Sequence, residues 1–276
     1  MSAASAVEAT AGPSAVRSRV ESQPVTLPRA LRSEWIKFRS LRSSWAMLGA
    51  AVLGMLLISL VVAYNTRHLT SGQDANDLAS SATLQGYYLG QLLIGALGVL
   101  FVSSEFSTGM IRSTFAAVPK RIPVLWAKLA VFFAVTAAAM IPISVISFLL
   151  SQAVIGHYRT GFSLTDPGVW RIVLGTGLYL TLVGVIGGMI GWIVRSTPGS
   201  LVTYFGLVLV LPIFGELFGS AGKHVAQFLP SQAGASFTEA LPESPHLAPG
   251  AGLVVLLAWV AAGIAIAAAS LRRRDA

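Results

Sequence analysis

The chain has 276 residues, of which 54% are hydrophobic and only 11% charged, with a formal net charge of +8 and a mean hydropathy of +0.73. Soluble domains carry roughly 25% charged residues, and the apolar residues here come in long blocks, so an ordinary water-soluble fold is excluded and a bilayer takes the place of water around the helices. The sequence has no cysteine, which excludes disulfides, thiolate metal sites, iron–sulfur clusters and cysteine nucleophiles. The basic excess sits beside the apolar blocks, so membrane topology explains it better than a nucleic-acid partner does.

Residues 1–27 are rich in Ala, Ser and Val with Arg17 and Arg19, and read as a disordered cytoplasmic tail. They contain no apolar run of the kind a signal peptide needs. Residues 28–276 form one transmembrane unit. It begins with a basic amphipathic segment, LRSEWIKFRSLRSSW, in which Leu31, Trp35, Phe38, Leu41 and Trp45 share a helical face while Arg32, Lys37, Arg39 and Arg42 lie largely away from it. Pro28 suits the start of such a helix. This pattern predicts a helix lying in the membrane interface; the alternative is a simple extension of the first span.

Six spans follow, each near the roughly 20 residues needed to cross the hydrocarbon core. They are expected at 45–63, 84–103, 129–155, 172–194, 201–218 and 251–271, with Pro142 inside the third and Pro212 inside the fifth. With the N-terminus inside, all nineteen Lys and Arg except Arg67, Arg159, Arg171 and Lys223 fall on the inner side. The positive-inside rule therefore places both termini in the cytoplasm. The fourth span carries Gly184, Gly188 and Gly191, with Gly187 among them. Small residues at this spacing allow close helix packing, either within the subunit or at a subunit interface.

Reactive chemistry is sparse. The nearest string to a phosphate-binding loop, Gly222-Lys223-His224, lacks the Ser or Thr that would hold magnesium. His68, His157, His224 and His246 all fall in outer loops, so paired histidines for haem are missing from the spans. Glu216, four residues after Pro212, is the one ionisable side chain expected near a span interior. The pair is a candidate gate or cavity element, or else a surface position where the span frays.

The inner loop between spans two and three, EFSTGMIRSTFAAVPKRIPVLWAK, is too long for a minimal turn and too polar to enter the membrane. Residues 105–118 can form a short helix with Ile111, Phe115 and Val118 on one face and Glu105, Thr108 and Arg112 on the other. Glu105 and Arg112, seven residues apart, then project from the same side. Such a helix offers a partner surface, or it rests on the membrane.

Together these segments resemble the permease subunits of ABC type-2 transporters, in the form common among actinobacteria. The marks are LRSEWIKFRSLRSSW, the loop SSEFSTGMIRSTFAAVPKR followed by VLWAK, and LPSQAG at 229–234. The resemblance implies that the N-terminal amphipathic segment is an elbow helix. It implies that the 105–118 loop holds a coupling helix docking on a separate ATP-binding subunit through Glu105, Thr108 and Arg112. It implies outer re-entrant or short helices within 214–249. It further implies a bacterial plasma-membrane exporter that is no enzyme itself and holds no cofactor, ATP and magnesium being used by the partner. A second permease, identical or related, and membrane lipids are the other expected partners, with no nucleic acid. An ion-coupled secondary transporter and a non-transporting scaffold or sensor are the competing classes.

Overall fold

The computed structural model describes residues 26–66, 84–111, 121–157, 162–239 and 246–273. Every described element is helical. Helix α1 covers Leu27–Ser40, α2 Arg42–Thr66, α3 Tyr87–Ser107, α4 Arg121–Gly156 and α5 Val169–Val194. Then come α6 at Thr197–Phe205, a π-helical turn at Gly206–Val210 and α7 at Leu211–Leu217, which together form one spanning unit. Short helices α8 (Gly219–Ala226) and α9 (Pro230–Thr238) precede α10 (Pro249–Arg273). Six of these units are long and apolar enough to cross a membrane, and they coincide with the six expected spans to within a few residues except at the start of the third. There, α4 begins at Arg121 rather than 129, so Lys128 is inside the helix instead of flanking it.

The first amphipathic segment and the first span are separate helices, parted by an extended residue at Leu41 (φ −83°, ψ 102°). Pro28 stands in the first turn of α1, where its missing N–H costs no helical bond. The face that α1 turns inward is Ala30, Glu34 and Phe38, whereas Trp35 and Leu41 stay more than 40% exposed. The apolar stripe expected from the sequence is thus the outward face, apart from Phe38. Leu31, Trp35 and Trp45 border an apolar groove of about 910 Å³ between α1, α2 and α4.

Helix α5 is the centre of the bundle and is buried over most of its length. Its glycines set it against α3 at backbone distance. A Cβ on Gly187 would overlap the Gly95 carbonyl oxygen, and one on Gly98 would overlap the Gly184 carbonyl oxygen. On Gly191 a Cβ would meet the Val99 carbonyl at 3.1 Å and the Val102 side chain at 3.0 Å, while Gly188 faces the Gly98 carbonyl oxygen at 3.5 Å. Of the two packing readings open in the sequence, the structure shows Gly184, Gly188 and Gly191 used within the subunit.

Several threonine hydroxyls inside the spans are satisfied locally, within their own helix. Thr136, Thr176 and Thr181 each donate to the carbonyl one turn back, at 2.8–2.9 Å. Spans four and five are joined by a two-residue reversal. Arg195 takes a left-handed conformation (φ 60°) and closes α5 through its N–H to the Gly191 carbonyl. Ser196 caps α6 by accepting from the Gly199 N–H at 3.2 Å.

The glycine seam gives a direct test. Gly187→Ala should destabilise the detergent-solubilised protein by about 1–3 kcal/mol through overpacking. Gly156→Ala, which meets nothing within 4 Å, should be neutral or slightly stabilising. Thermal unfolding of the two variants side by side checks this; equal melting temperatures would mean the α3–α5 contact is not tight.

Candidate functional site

Four charged side chains from three elements meet at one end of the bundle. Glu34 and Lys37 come from successive turns of α1, Glu105 from the last turn of α3 and Lys128 from the second turn of α4. Lys37 Nζ lies 2.7 Å from Glu34 Oε1 and 2.9 Å from Glu105 Oε1. Lys128 Nζ lies 2.8 Å from Glu34 Oε2 and 3.0 Å from Glu105 Oε1. Lys128 also stands 4.3 Å above the Phe101 ring and donates to the Phe101 carbonyl at 3.4 Å. Lys128, Glu34 and Glu105 are essentially solvent-free, and only Lys37 reaches the surface.

Among the described residues, two acids and two lysines balance one another in the cluster, and each carboxylate touches both ammonium groups. That closure matters because a lone buried charge costs several kcal/mol. Burial pulls the Lys37 ammonium toward deprotonation, but its hydrogen bonds to Glu34 and Glu105 outweigh this and hold its pKa above the ordinary lysine value.

The site departs from the sequence reading in three ways. Glu105 does not stand on an exposed face with Thr108 and Arg112, because it closes span two and points into the cluster. Thr108 is exposed and caps α3, its hydroxyl donating to the Ser104 carbonyl at 2.7 Å. Gly109 then adopts a left-handed φ of 72°, so no continuous helix begins at Glu105; the chain turns, and Met110 and Ile111 are helical again. Arg112, Phe115 and Val118 lie outside the described residues. Finally, Glu216 is not the one ionisable group near a span interior, since Glu105 and Lys128 are buried within α3 and α4.

A signal for the cluster exists in the sequence. Glu34 is the one acid in the basic segment 29–45, and Glu105 is the one acid between 84 and 128. A lone acid on an otherwise basic amphipathic helix marks a position with a buried cationic partner, here Lys128, which the early start of α4 at Arg121 brings inside a helix.

At the opposite end of α3 lies a second polar site, a cleft of about 280 Å³ between α3, the fifth span and α9. Glu239, just after α9, accepts from the Tyr87 hydroxyl at 2.5 Å and the Tyr88 hydroxyl at 2.9 Å. Gln91, 4% exposed, accepts the Tyr179 hydroxyl on its side-chain oxygen. Its backbone carbonyl takes the Tyr204 hydroxyl at 2.6 Å. Glu216 and Pro212 both border this cleft. The LPSQAG string contributes Ser231 and Gln232 to its wall. Gly234 lets α9 seat on Tyr179, whose ring a Cβ would overlap.

Among the described residues, no group of His, Cys, Asp and Glu is arranged to hold a metal ion.

The cluster predicts a specific pattern of stabilities. Lys128→Met alone leaves two buried acids sharing Lys37 and should cost about 3–5 kcal/mol. Adding Glu105→Leu leaves the neutral Glu34–Lys37 pair, and most of that loss should return. Glu105→Arg should lower the folded yield. Thermal unfolding of the single and double variants in detergent measures the coupling; additive losses would show that the four groups do not act as one unit.

The sequence matches no protein-family model, and no curated protein matches it either.

Proposed function

We propose that this chain is the membrane-spanning permease subunit of an ATP-driven ABC exporter in a bacterial plasma membrane. The reading rests on the resemblance in its opening segment and inner loop, and one structural observation supports it. The loop between spans two and three follows α3, which carries Glu105 in its last turn, and leads into the helix carrying Lys128, and these residues are ion-paired to each other and to α1. A force applied to that loop therefore acts on both spans and on α1 together, rather than being lost in slack chain.

In this proposal both termini are cytoplasmic and α1 is an elbow helix in the interface. The loop presents Thr108 and Arg112 to a separate ATP-binding subunit, with Glu105 bracing the loop from behind. ATP and magnesium belong to that partner. A second permease completes the pathway, and lipids surround the exposed faces of α2, α10 and the fifth span.

A second reading, an ion-coupled secondary transporter, draws support from the two carboxylates that border the cleft and from the buried acids of the cluster. Broken-helix ion sites in such transporters occur at matching places in two halves, whereas the π turn and Pro212 belong to the fifth span alone among the described spans. The same experiment separates the two. Purified alone, the chain should hydrolyse no ATP; joined to an ATP-binding subunit of this transporter class, the complex should. Arg112→Glu should weaken co-purification of that subunit while leaving membrane insertion intact. A cysteine at Ser107 should react with an impermeant thiol reagent only in opened cells, and one at Ser220 in intact cells. Uptake or efflux driven by an ion gradient without the ATPase, or the reverse labelling pattern, would overturn the exporter reading.

A further inference from the structure

The cleft at the far end of α3 carries a ligand preference of its own. Its polar wall holds two carboxylates, Glu216 and Glu239, and among the described residues no Lys, Arg or His borders it. Glu239 is oriented by two phenol donors that both engage Oε1, which leaves Oε2 for another donor. Glu216 is exposed. A region with this excess of acceptors and negative charge attracts a cation.

Gln91 supplies an independent observation. It is 4% exposed and its side-chain oxygen is occupied by the Tyr179 hydroxyl, while its amide N–H₂ donates to no protein group and Gln91 borders the cleft. That amide opens on the cleft, where it can donate to an acceptor. The facing wall is apolar, formed by Val208 and Leu209 of the π turn and by Ile213. π turns inside spanning helices occur frequently at functional sites.

We propose that this cleft binds a protonated organic amine that bears an oxygen acceptor next to the ammonium group, on an apolar body. The ammonium meets Glu216 and Glu239, the acceptor takes the Gln91 amide, and the apolar body lies against Val208, Leu209 and Ile213. Binding follows from the cleft alone. That such amines are the exported substrates rests in addition on the permease reading above.

The test uses the purified full-length chain in nanodiscs of uncharged lipid, without any ATP-binding subunit, so its outcome is independent of whether ATP drives transport. The probes are 2-amino-1-phenylethanol, 2-phenylethylamine, 1-phenylethanol and mandelate, followed by ligand-observed NMR titration. The amino alcohol should bind best, the amine lacking the hydroxyl less well, the neutral alcohol weakly and the anion not at all. Glu216→Gln and Glu239→Gln should each weaken the amino alcohol by roughly tenfold or more, the scale of one lost charge-assisted hydrogen bond. If Glu239→Gln unfolds the chain, the exposed Glu216→Gln decides. Equal binding of the neutral alcohol, binding unchanged by the decisive substitution, or no binding of the amino alcohol would each overturn the proposal. In a separate assay of the complex with its ATP-binding subunit, amine binding without ATP-dependent amine efflux would leave the cleft assignment standing and remove these amines as exported substrates.

Discussion

The arrangement of this bundle turns on four charges that can be buried only together. Glu34, Lys37, Glu105 and Lys128 come from α1, α3 and α4, and no subset that leaves an odd charge is tolerable in a surround of low dielectric. The cluster therefore sets the register of three helices at once. It fixes how deep α4 begins, because Lys128 must reach Glu34 and Glu105. It also fixes the rotation of α1, because Glu34 must face inward and carry Ala30 and Phe38 with it. Once α1 is turned that way, its tryptophan stripe has nowhere to go but outward. Phe38 then packs edge-on against Phe101 at 5.2 Å, the ring that also receives Lys128.

The spans themselves were legible because their signal is long and uniform. Six apolar stretches of spanning length survive almost unchanged in the structure, since hydropathy summed over some twenty residues averages out local exceptions. What could not be read was which side of each helix faces a neighbour. In water, the apolar face of a helix is the buried one. In a membrane the rule loses its force, because lipid is as apolar as leucine. In residues 31–45 the aromatic face is the one expected against the membrane interface, and what the apolar pattern does not announce is the inward face of Glu34 and Phe38, set by the ion pair of Glu34 with Lys128. The start of the loop helix was misplaced for a related reason. The string 105–118 has helical periodicity, but α3 ends at Ser107 and a left-handed Gly109 breaks the chain before helix resumes at Met110 and Ile111, and burial of Glu105 places that acid on the bundle side of the break.

Other features were visible in composition but not in position. The fourth-span glycines announced a close approach without naming its partner; the partner is α3, through Gly95 and Gly98. Pro212 and Glu216 stood out as a proline and an acid in an apolar stretch, and both border the cleft. Glu239 and Gln91, which complete its polar wall, lie 148 residues apart in sequence and share no motif. Only the fold brings them together, and Tyr87 and Tyr88, at the first turn of α3, are the groups that join them.

Helix α3 carries the cluster at one end and the cleft at the other, about 21–27 Å apart at 1.5 Å per residue. Its middle is locked to α5 by the glycine seam. The lower half of the fifth span is locked to it as well, since Tyr204 lies over Gly95 and donates to the Gln91 carbonyl, and Thr197 meets Ser103 at 2.9 Å. Beyond Tyr204 this attachment changes. Pro212 has no N–H to return to the Val208 carbonyl, and the chain answers with a wider turn in which the Leu211 N–H reaches the Gly206 carbonyl. The helix is thus interrupted immediately after its last firm anchor, and the residues that follow are mostly exposed up to the α8 hairpin. One wall of the cleft is then a rod braced from end to end, and the other is a span with a built-in discontinuity at Val208 and Leu209.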